Sequence, residues 1–396
     1  MWAVGLLTAA VAFGTTWLVT PWVVRLAHRW GAVDAPGPRK VHAIPTPRVG
    51  GAAVFVGFVA ALIVASFATG YALNEGHPRL GYWSVLAACA TGMLVLGIID
   101  DTRGVSFQGK FAAQLVAASA VWLAGFRVEI LSFPSAAPGG IELAWLSFPF
   151  TVLWIVGITN AFNLIDGLDG LAAGTALIST TTVAAIAILG GRVAVSAIAV
   201  ALVGSLLGFL RYNFNPATIF LGDSGSMFLG FTLAVISIHG SQKNVTAVAV
   251  LVPLLLVGYP LLDTSLAVVR RLNSIRSDAN GRGIGYVARN AHRVFLPDRG
   301  HLHHLLLDLG VSHRRAVLSL YACALAFAIG AFVLVVSNSL AVGLVVAGTL
   351  AGLTLLFIAF VIARARVARR RESQPAVGVA ERPRGPVASG GVSGGP

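Results

Sequence analysis

Apolar residues recur along the chain in blocks of about 20, and this spacing constrains the fold more than any other feature. A helix of that length rises about 30 Å, which matches the hydrocarbon core of a bilayer. Only 11% of the 396 residues are charged, against about 25% in soluble domains. The sequence therefore predicts an all-α integral membrane protein with about eleven transmembrane helices. The predicted spans are 2–22, 50–69, 82–99, 111–126, 149–165, 171–189, 193–210, 226–239, 245–268, 316–336 and 340–362.

Positive charge is distributed unevenly between the two sets of connecting segments. Of 28 Lys and Arg residues, 24 fall in segments that this topology places on one side. The positive-inside rule then puts the N-terminus outside and the C-terminus in the cytoplasm. The net charge of +13 follows from topology, so we expect no nucleic-acid partner. Alternation within 127–148 predicts a small external β-hairpin. Residues 1–363 form the membrane domain, and 364–396 are predicted to be a disordered basic cytoplasmic tail.

Acidic residues gather at the cytoplasmic ends of the predicted spans. Helix C-termini repel anions, and neighbouring carboxylates repel each other. A bound divalent cation removes both penalties, and an all-oxygen ligand set favours Mg²⁺, with Mn²⁺ as a substitute, over Zn²⁺. Ordinary solvated loop acids are the alternative. The six recurring acids are Asp100, Asp101, Asp166, Asp169, Asp223 and Asp263.

The motif "FLGDSGS" opens the eighth predicted span and places Asp223 at a helix N-terminus. Backbone N–H groups at such a position bind anions, so Asp223 is our first candidate for a metal ligand beside a phosphate. A simple helix cap is the alternative interpretation, since Asp and Ser are favoured caps.

Two cytoplasmic segments carry basic and histidine residues. "RKVHAIPTPRVGG" contains Lys40, His42 and Arg48, which indicate either phosphate binding or an ordinary positive flank. "PDRGHLHH" admits a zinc site, a solvated loop, or a cluster that neutralises a phosphate with histidine as donor or proton carrier. The third interpretation is favoured because acids lie on the same face. Its residues are Arg299, His301, His303 and His304.

Together these motifs resemble one family, the polyprenyl-phosphate N-acetylhexosamine-1-phosphate transferases. The resemblance runs through most of residues 1–362, and its motifs occur in the expected order. The segments that carry it are "RKVHAIPTPRVGG", "DDTRG", "NAFNLIDGLDGLAAG", "FLGDSGSMFLG" and "DRGHLHH". The tail after 363 is unmatched.

The resemblance implies a reaction at the cytoplasmic face of a bacterial plasma (inner) membrane. GlcNAc-1-phosphate passes from UDP-GlcNAc to undecaprenyl or decaprenyl phosphate, releasing UMP and starting a cell-envelope glycan. "RGHLHH" is more similar to this branch than to phospho-MurNAc-pentapeptide transferases, which remain the alternative. A cation-coupled membrane transporter is a further alternative. The resemblance also implies contact with membrane lipid and a homodimer.

Site roles follow from the resemblance and the motifs together. If helical, the side chains of Asp100 and Asp101 diverge by about 100°, so one supports the metal or a lysine while the other steers the lipid phosphate. Mg²⁺ is assigned to Asp223 and Asp101. Catalytic roles are expected for Asp100, Asp101, Asp166 and Asp169. Substrate binding is expected for Lys40, His42, Arg48, Asn160, Asn163, Arg299, His301, His303 and His304.

Overall fold

The computed structural model describes residues 2–35, 45–69, 82–131, 141–241, 248–279, 286, 290, 301–337 and 339–372. Within these residues the chain is almost entirely helical. The helices are α1 (Trp2–Trp30), α2 (Gly50–Thr69), α3 (Tyr82–Arg103), α4 (Phe107–Ala124), α5 (Ser147–Ile165), α6 (Leu171–Leu189), α7 (Val193–Asn213), α8 (Gly222–Ser241), α9 (Val248–Leu256), α10 (Gly258–Ala279), α11 (Leu302–Asp308), α12 (His313–Ser337) and α13 (Leu340–Glu372).

Seven of the described helices are long and apolar enough to cross a membrane, namely α1, α2, α3, α5, α6, α7 and α12. Large apolar side chains cover their outward faces; on α1, for example, Trp2, Trp17, Trp22 and Trp30 are all exposed. Such faces are costly in water and suit a lipid solvent. The all-α membrane architecture is therefore confirmed, while the number of eleven spans and their orientation stay predictions.

Helix α8 lies at the centre of the bundle. It packs against α2, α3, α5, α6 and α9, and its apolar side chains, including Phe228 and Phe231, are fully buried. A helix that is apolar all round belongs in an interior. Its N-terminus at Gly222 is therefore surrounded by the ends of other helices, and this placement builds the site described below.

The ninth span, predicted as one helix over 245–268, is two helices that meet at Val257. Pro260 has no amide hydrogen, so the carbonyl of Leu256 loses its helical partner. The hydroxyl of Ser179 on α6 donates to that carbonyl instead. A side chain from a neighbouring helix thus satisfies the backbone group that the break exposes.

Two short antiparallel pairings complete the described structure. Strands β3 (Ile130–Leu131) and β4 (Ile141–Glu142) pair antiparallel within the segment where a hairpin was predicted, and its external location stays a prediction. Strands β1 (Val33–Asp34) and β2 (Thr46–Pro47) form a second, unpredicted pair. At the other end, α13 continues to Glu372, nine residues past the boundary at 363, and the disordered tail stays a prediction.

Candidate active site

The side chain of Asp101 joins the end of α3 to the start of α8. The backbone N–H of Asp223 donates to Asp101 Oδ1 and that of Ser224 donates to Oδ2, each at 3.0 Å. These are amides of the first turn of α8, which have no partner within the helix. Asp101 is buried, and its carboxylate caps α8 from another helix.

Two glycines permit this approach of α3 to α8. A Cβ added at Gly97 would lie 2.3 Å from Ser224 Cα. Gly222 has a φ of +74°, and a Cβ there would meet the carbonyl oxygen of Arg48 and the Asp101 carboxylate. Any larger residue would push the two helix ends apart. The backbone itself therefore fixes where Asp101 and Asp223 stand.

Lys110, at the start of α4, links two of the predicted acids. Its Nζ lies 2.9 Å from Asp100 Oδ2 and 3.0 Å from Asp223 Oδ2. The other oxygen of Asp100 accepts the Val105 N–H at 2.6 Å. Asp100 and Asp101 thus point in different directions, as the helical spacing predicted, and Asp100 is the one that supports a lysine.

Asp166 follows the last residue of α5 and lies against the same group. Burial and the like charges of Asp223 and Asp101 raise the pKa of Asp166 well above its ordinary value, although a backbone hydrogen bond with Gly222 acts in the opposite sense. We call Asp100, Asp101, Asp166 and Asp223 the acid cluster. Four of the six acids predicted to gather at one face therefore lie together here, whereas Asp169 and Asp263 make other contacts.

Asp169 takes part in a different contact. Its Oδ2 accepts Asn215 Nδ2 at 2.9 Å and the Ala217 N–H at 3.1 Å. Arg314 Nε donates to the Asn215 carbonyl at 3.0 Å. These bonds connect the loop after α5 with the loop after α7 and with the start of α12. Asp169 therefore contributes to the shape of the site by holding these two loops together.

Arg48, one of the predicted phosphate ligands, contacts protein groups in this structure. Its Nε donates to the backbone oxygen of Asp101 at 3.1 Å, and its Nη1 lies 3.4 Å from Asp34 Oδ1. An arginine on the last carbonyls of a helix compensates the negative end of the helix dipole. Arg48 thereby steadies the helix end that carries both aspartates.

Asn160 and Asn163 lie on α5 below the acid cluster. Asn160 Nδ2 donates to Gln114 Oε1 at 2.6 Å and to the Val156 carbonyl at 2.8 Å. Asn163 Nδ2 donates to Ser226 Oγ at 3.0 Å. This polar layer ties α4, α5 and α8 together beneath the charges. Lys110 and Gln114 were both missed from the sequence, although their i, i+4 spacing at the start of an apolar helix is a signal.

The three histidines of the "RGHLHH" motif lie around the start of α11. His301 and His303 are buried and their rings stack with centroids 5.7 Å apart. The His303 and His304 rings are 4.3 Å apart. Burial, followed by the charge of His304, lowers the pKa of His303 to about 3. The His303 ring is therefore neutral at physiological pH.

His303 connects this motif to the acid side of the site. A Cβ added at Gly167 would lie 2.5 Å from His303 Nε2, so the ring packs directly on the loop that carries Asp166 and Asp169. The remaining predicted ligands, Lys40, His42 and Arg299, lie outside the described residues.

The donor atoms of the acid cluster suit a hard divalent cation. Within the described part of the chain, no three acidic, histidine or cysteine side chains form a ready-made metal-binding set. Mg²⁺, however, often takes only one or two protein carboxylates and completes its shell with water and phosphate oxygens. Of the four carboxylates of the acid cluster, Lys110 contacts two, Asp100 and Asp223. The chemistry of the donor set therefore fits Mg²⁺.

Comparison with known proteins gives consistent matches. The family described as Glycosyl transferase family 4 matches residues 83–241. A probable undecaprenyl-phosphate N-acetylglucosaminyl 1-phosphate transferase of Bacillus subtilis (strain 168) is 40% identical over 82% of this chain and 83% of its own length. A decaprenyl-phosphate N-acetylglucosaminephosphotransferase of Mycolicibacterium smegmatis is 39% identical over 80% and 77%. A phospho-N-acetylmuramoyl-pentapeptide-transferase of Shouchella clausii is 31% identical over 72% and 82%.

Proposed function

The chain belongs to the polyprenyl-phosphate N-acetylhexosamine-1-phosphate transferase family, and we propose that it transfers GlcNAc-1-phosphate from UDP-GlcNAc to undecaprenyl or decaprenyl phosphate. The observation that carries the proposal is the acid cluster, which brings carboxylates from three separate segments to the start of α8 around Lys110. The GlcNAc branch is supported because the Bacillus subtilis and Mycolicibacterium smegmatis relatives are 39–40% identical to this chain, against 31% for the pentapeptide transferase of Shouchella clausii.

The chemistry requires two anions to meet. An oxygen of the lipid phosphate attacks the phosphorus that carries the sugar, the bond from that phosphorus to the bridging oxygen breaks, and UMP leaves with that oxygen. A phosphate monoester has a second pKa of about 6, so the attacking group needs no strong base. We therefore favour direct attack over an aspartyl-phosphate intermediate.

Asp223 is our first choice for holding Mg²⁺, with Asp166 beside it. When bound, Mg²⁺ supplies positive charge that offsets repulsion between the phosphates and stabilises the transferring phosphoryl group. Asp101 was assigned to the metal as well, but both of its oxygens accept amides of α8, so we assign it to placing Asp223. Lys110, held by Asp100, adds a fixed positive charge at the point of transfer.

The remaining side chains bind and orient the substrates. The histidine motif lies against the loop that carries Asp166, where His303 and His304 are proposed to donate hydrogen bonds to the nucleotide phosphates while His301 orients the motif, and Asn163 extends the polar wall. We place the reaction at the cytoplasmic face of a bacterial plasma membrane, because 24 of the 28 basic residues fall in the segments on that side. A homodimer stays a prediction.

The proposal is tested by incubating the purified protein with radiolabelled UDP-GlcNAc and undecaprenyl phosphate, with and without Mg²⁺. We expect a lipid-linked radiolabelled product and an equal amount of UMP, both dependent on Mg²⁺. UDP-MurNAc-pentapeptide is the matched donor control. Product formation from the pentapeptide donor and none from UDP-GlcNAc would assign the chain to the other branch, and none from either donor would refute the proposed transfer.

A further inference from the structure

Asp263 lies on α10, apart from the acid cluster, and makes two hydrogen bonds to the histidine motif. His301 Nδ1 lies 2.8 Å from Asp263 Oδ2, and the backbone N–H of Leu302 donates to Asp263 Oδ1 at 2.8 Å. Only 3% of Asp263 and 5% of His301 are exposed. Asp263 and His301 together are called the histidine dyad below.

The first bond fixes the His301 ring. A carboxylate is only an acceptor, so Nδ1 carries the hydrogen and Nε2 of a neutral ring is left with its lone pair. The Asp also prevents rotation of the ring about its own bond. Both the tautomer and the orientation of His301 therefore follow from Asp263.

The second bond fixes the backbone of the motif. Leu302 is the first residue of α11, and its N–H has no partner within that helix. Since Asp263 accepts it, the start of α11 is held against α10. Residues 301–304 are thus anchored at one end by a single buried carboxylate.

The position of α11 determines how the motif meets the acid side. His303 stacks on His301, and its Nε2 packs against Gly167 so closely that no Cβ would fit. A shift of His301 would therefore move His303 against the loop that carries Asp166. The contacts form a continuous series from Asp263 through both rings to Gly167.

We propose that Asp263 is a positioning residue for the transfer reaction, which sets the tautomer of His301 and the placement of the histidine motif against the loop after α5. The inference rests on the proposed function for its kinetic test, but not for its structural one. Carboxylates that orient a functional histidine in other proteins contribute roughly 10- to 100-fold, and we expect an effect of that size here.

A double-mutant cycle tests the kinetic part. Asp263→Asn keeps an oxygen that accepts the Leu302 N–H and removes only the charge and acceptor facing His301; His301→Gln removes the imidazole. We expect each change to lower kcat/KM for UDP-GlcNAc about 10- to 100-fold, and the double variant to be no worse than the poorer single one. Thr264→Val is the matched control, because that neighbouring hydroxyl has no partner among the described residues, and it should retain wild-type activity. A wild-type rate in Asp263→Asn, or effects that multiply in the double variant, would overturn the proposal.

A spectroscopic measurement on the wild-type protein tests the structural part. With ¹⁵N-labelled histidine, the His301 signal is identified by its loss in His301→Gln. Protonated Nδ1 and unprotonated Nε2 in the wild-type protein support the proposal, and an unprotonated Nδ1 overturns it, even if Asp263→Asn fails to fold. If the wild-type protein lacks transferase activity, the proposed function fails, while this measurement still decides the inference.

Discussion

The acid cluster and the histidine dyad hold their charges in different ways. In the acid cluster, the side chains of Asp100 and Asp223 are 13% and 28% exposed and share the ammonium of Lys110, which is 22% exposed. Asp101, by contrast, is buried against the first amides of α8. In the dyad, the side chains of His301 and Asp263 are 6% and 3% exposed, and among the described residues Asp263 accepts hydrogen bonds from His301 and from the Leu302 amide. Partly hydrated charges exchange partners at modest cost, whereas a buried charge that loses its partner is strongly destabilising. We therefore expect charges to be rearranged around Lys110, Asp100 and Asp223, and geometry to be held at the dyad.

The largest effect is expected from Asp223→Asn. Removing this charge should lower kcat for UMP release by about 10³-fold or more, which corresponds to ~4 kcal/mol of barrier. The partly exposed position implies little change in folding. Steady-state UMP release measures kcat, and denaturant titration of the same purified sample measures the free energy of unfolding. Full activity would remove Asp223 from the metal site, and a large loss of stability would contradict the contrast between the two regions.

His301→Ala tests the histidine dyad. It leaves the Asp263 carboxylate buried without its hydrogen-bond donor, and we expect the free energy of unfolding in detergent to fall by ~3 kcal/mol. Thr264→Val, one position from Asp263, should change it by less than about 0.5 kcal/mol. Equal stability of the His301 variant and the wild-type protein would show that the dyad does not anchor the fold.

Lys110→Met should have an intermediate effect on activity. The loss of a fixed charge at the point of transfer is expected to lower kcat/KM by about 10²-fold, or ~2.7 kcal/mol. Because the ammonium no longer competes for Asp100 and Asp223, the Mg²⁺ concentration that gives half-maximal residual activity should also fall. A Mg²⁺ titration of variant and wild-type protein measures this, and a higher Mg²⁺ requirement would argue against shared carboxylates.

Asp101→Asn should have the smallest effect of the four. An asparagine oxygen still accepts one of the two α8 amides, so the lost cap costs about 1 kcal/mol, or roughly a five- to tenfold fall in kcat. Comparing kcat of this variant with that of Asp223→Asn distinguishes the role of Asp101 from that of Asp223. If Asp101→Asn were as inactive as Asp223→Asn, Asp101 would act directly in the reaction and not through the placement of α8.

Much of the fold and part of the site follow from local patterns in the sequence. Apolar blocks predicted the membrane helices, and acids repeated at their ends predicted the convergence of Asp100, Asp101, Asp166 and Asp223. The division of the ninth span was missed because its apolar composition continues across 256–260, although Pro260 marks the position where the helix cannot continue.

The contacts that assign roles were less predictable, because they depend on residues far apart in the chain. Asp263 and His301 are 38 positions apart, and no single-sequence pattern pairs them. Lys110 resembles an ordinary positive flank of a membrane helix, and only its distance to Asp223, 113 positions away, distinguishes it. Asp169 lies in the same motif as Asp166, yet its carboxylate accepts hydrogen bonds from Asn215 and Ala217.

The close approach of α3 to α8 at Gly97 and Gly222 has a consequence for reading mutational surveys of this protein. Neither residue offers a functional group to a reactant, yet a single added methyl at either one would displace the capped helix start. Such substitutions should therefore lower turnover in protein that is still inserted in the membrane. A survey that measures activity alone would wrongly assign these two glycines to the catalytic residues.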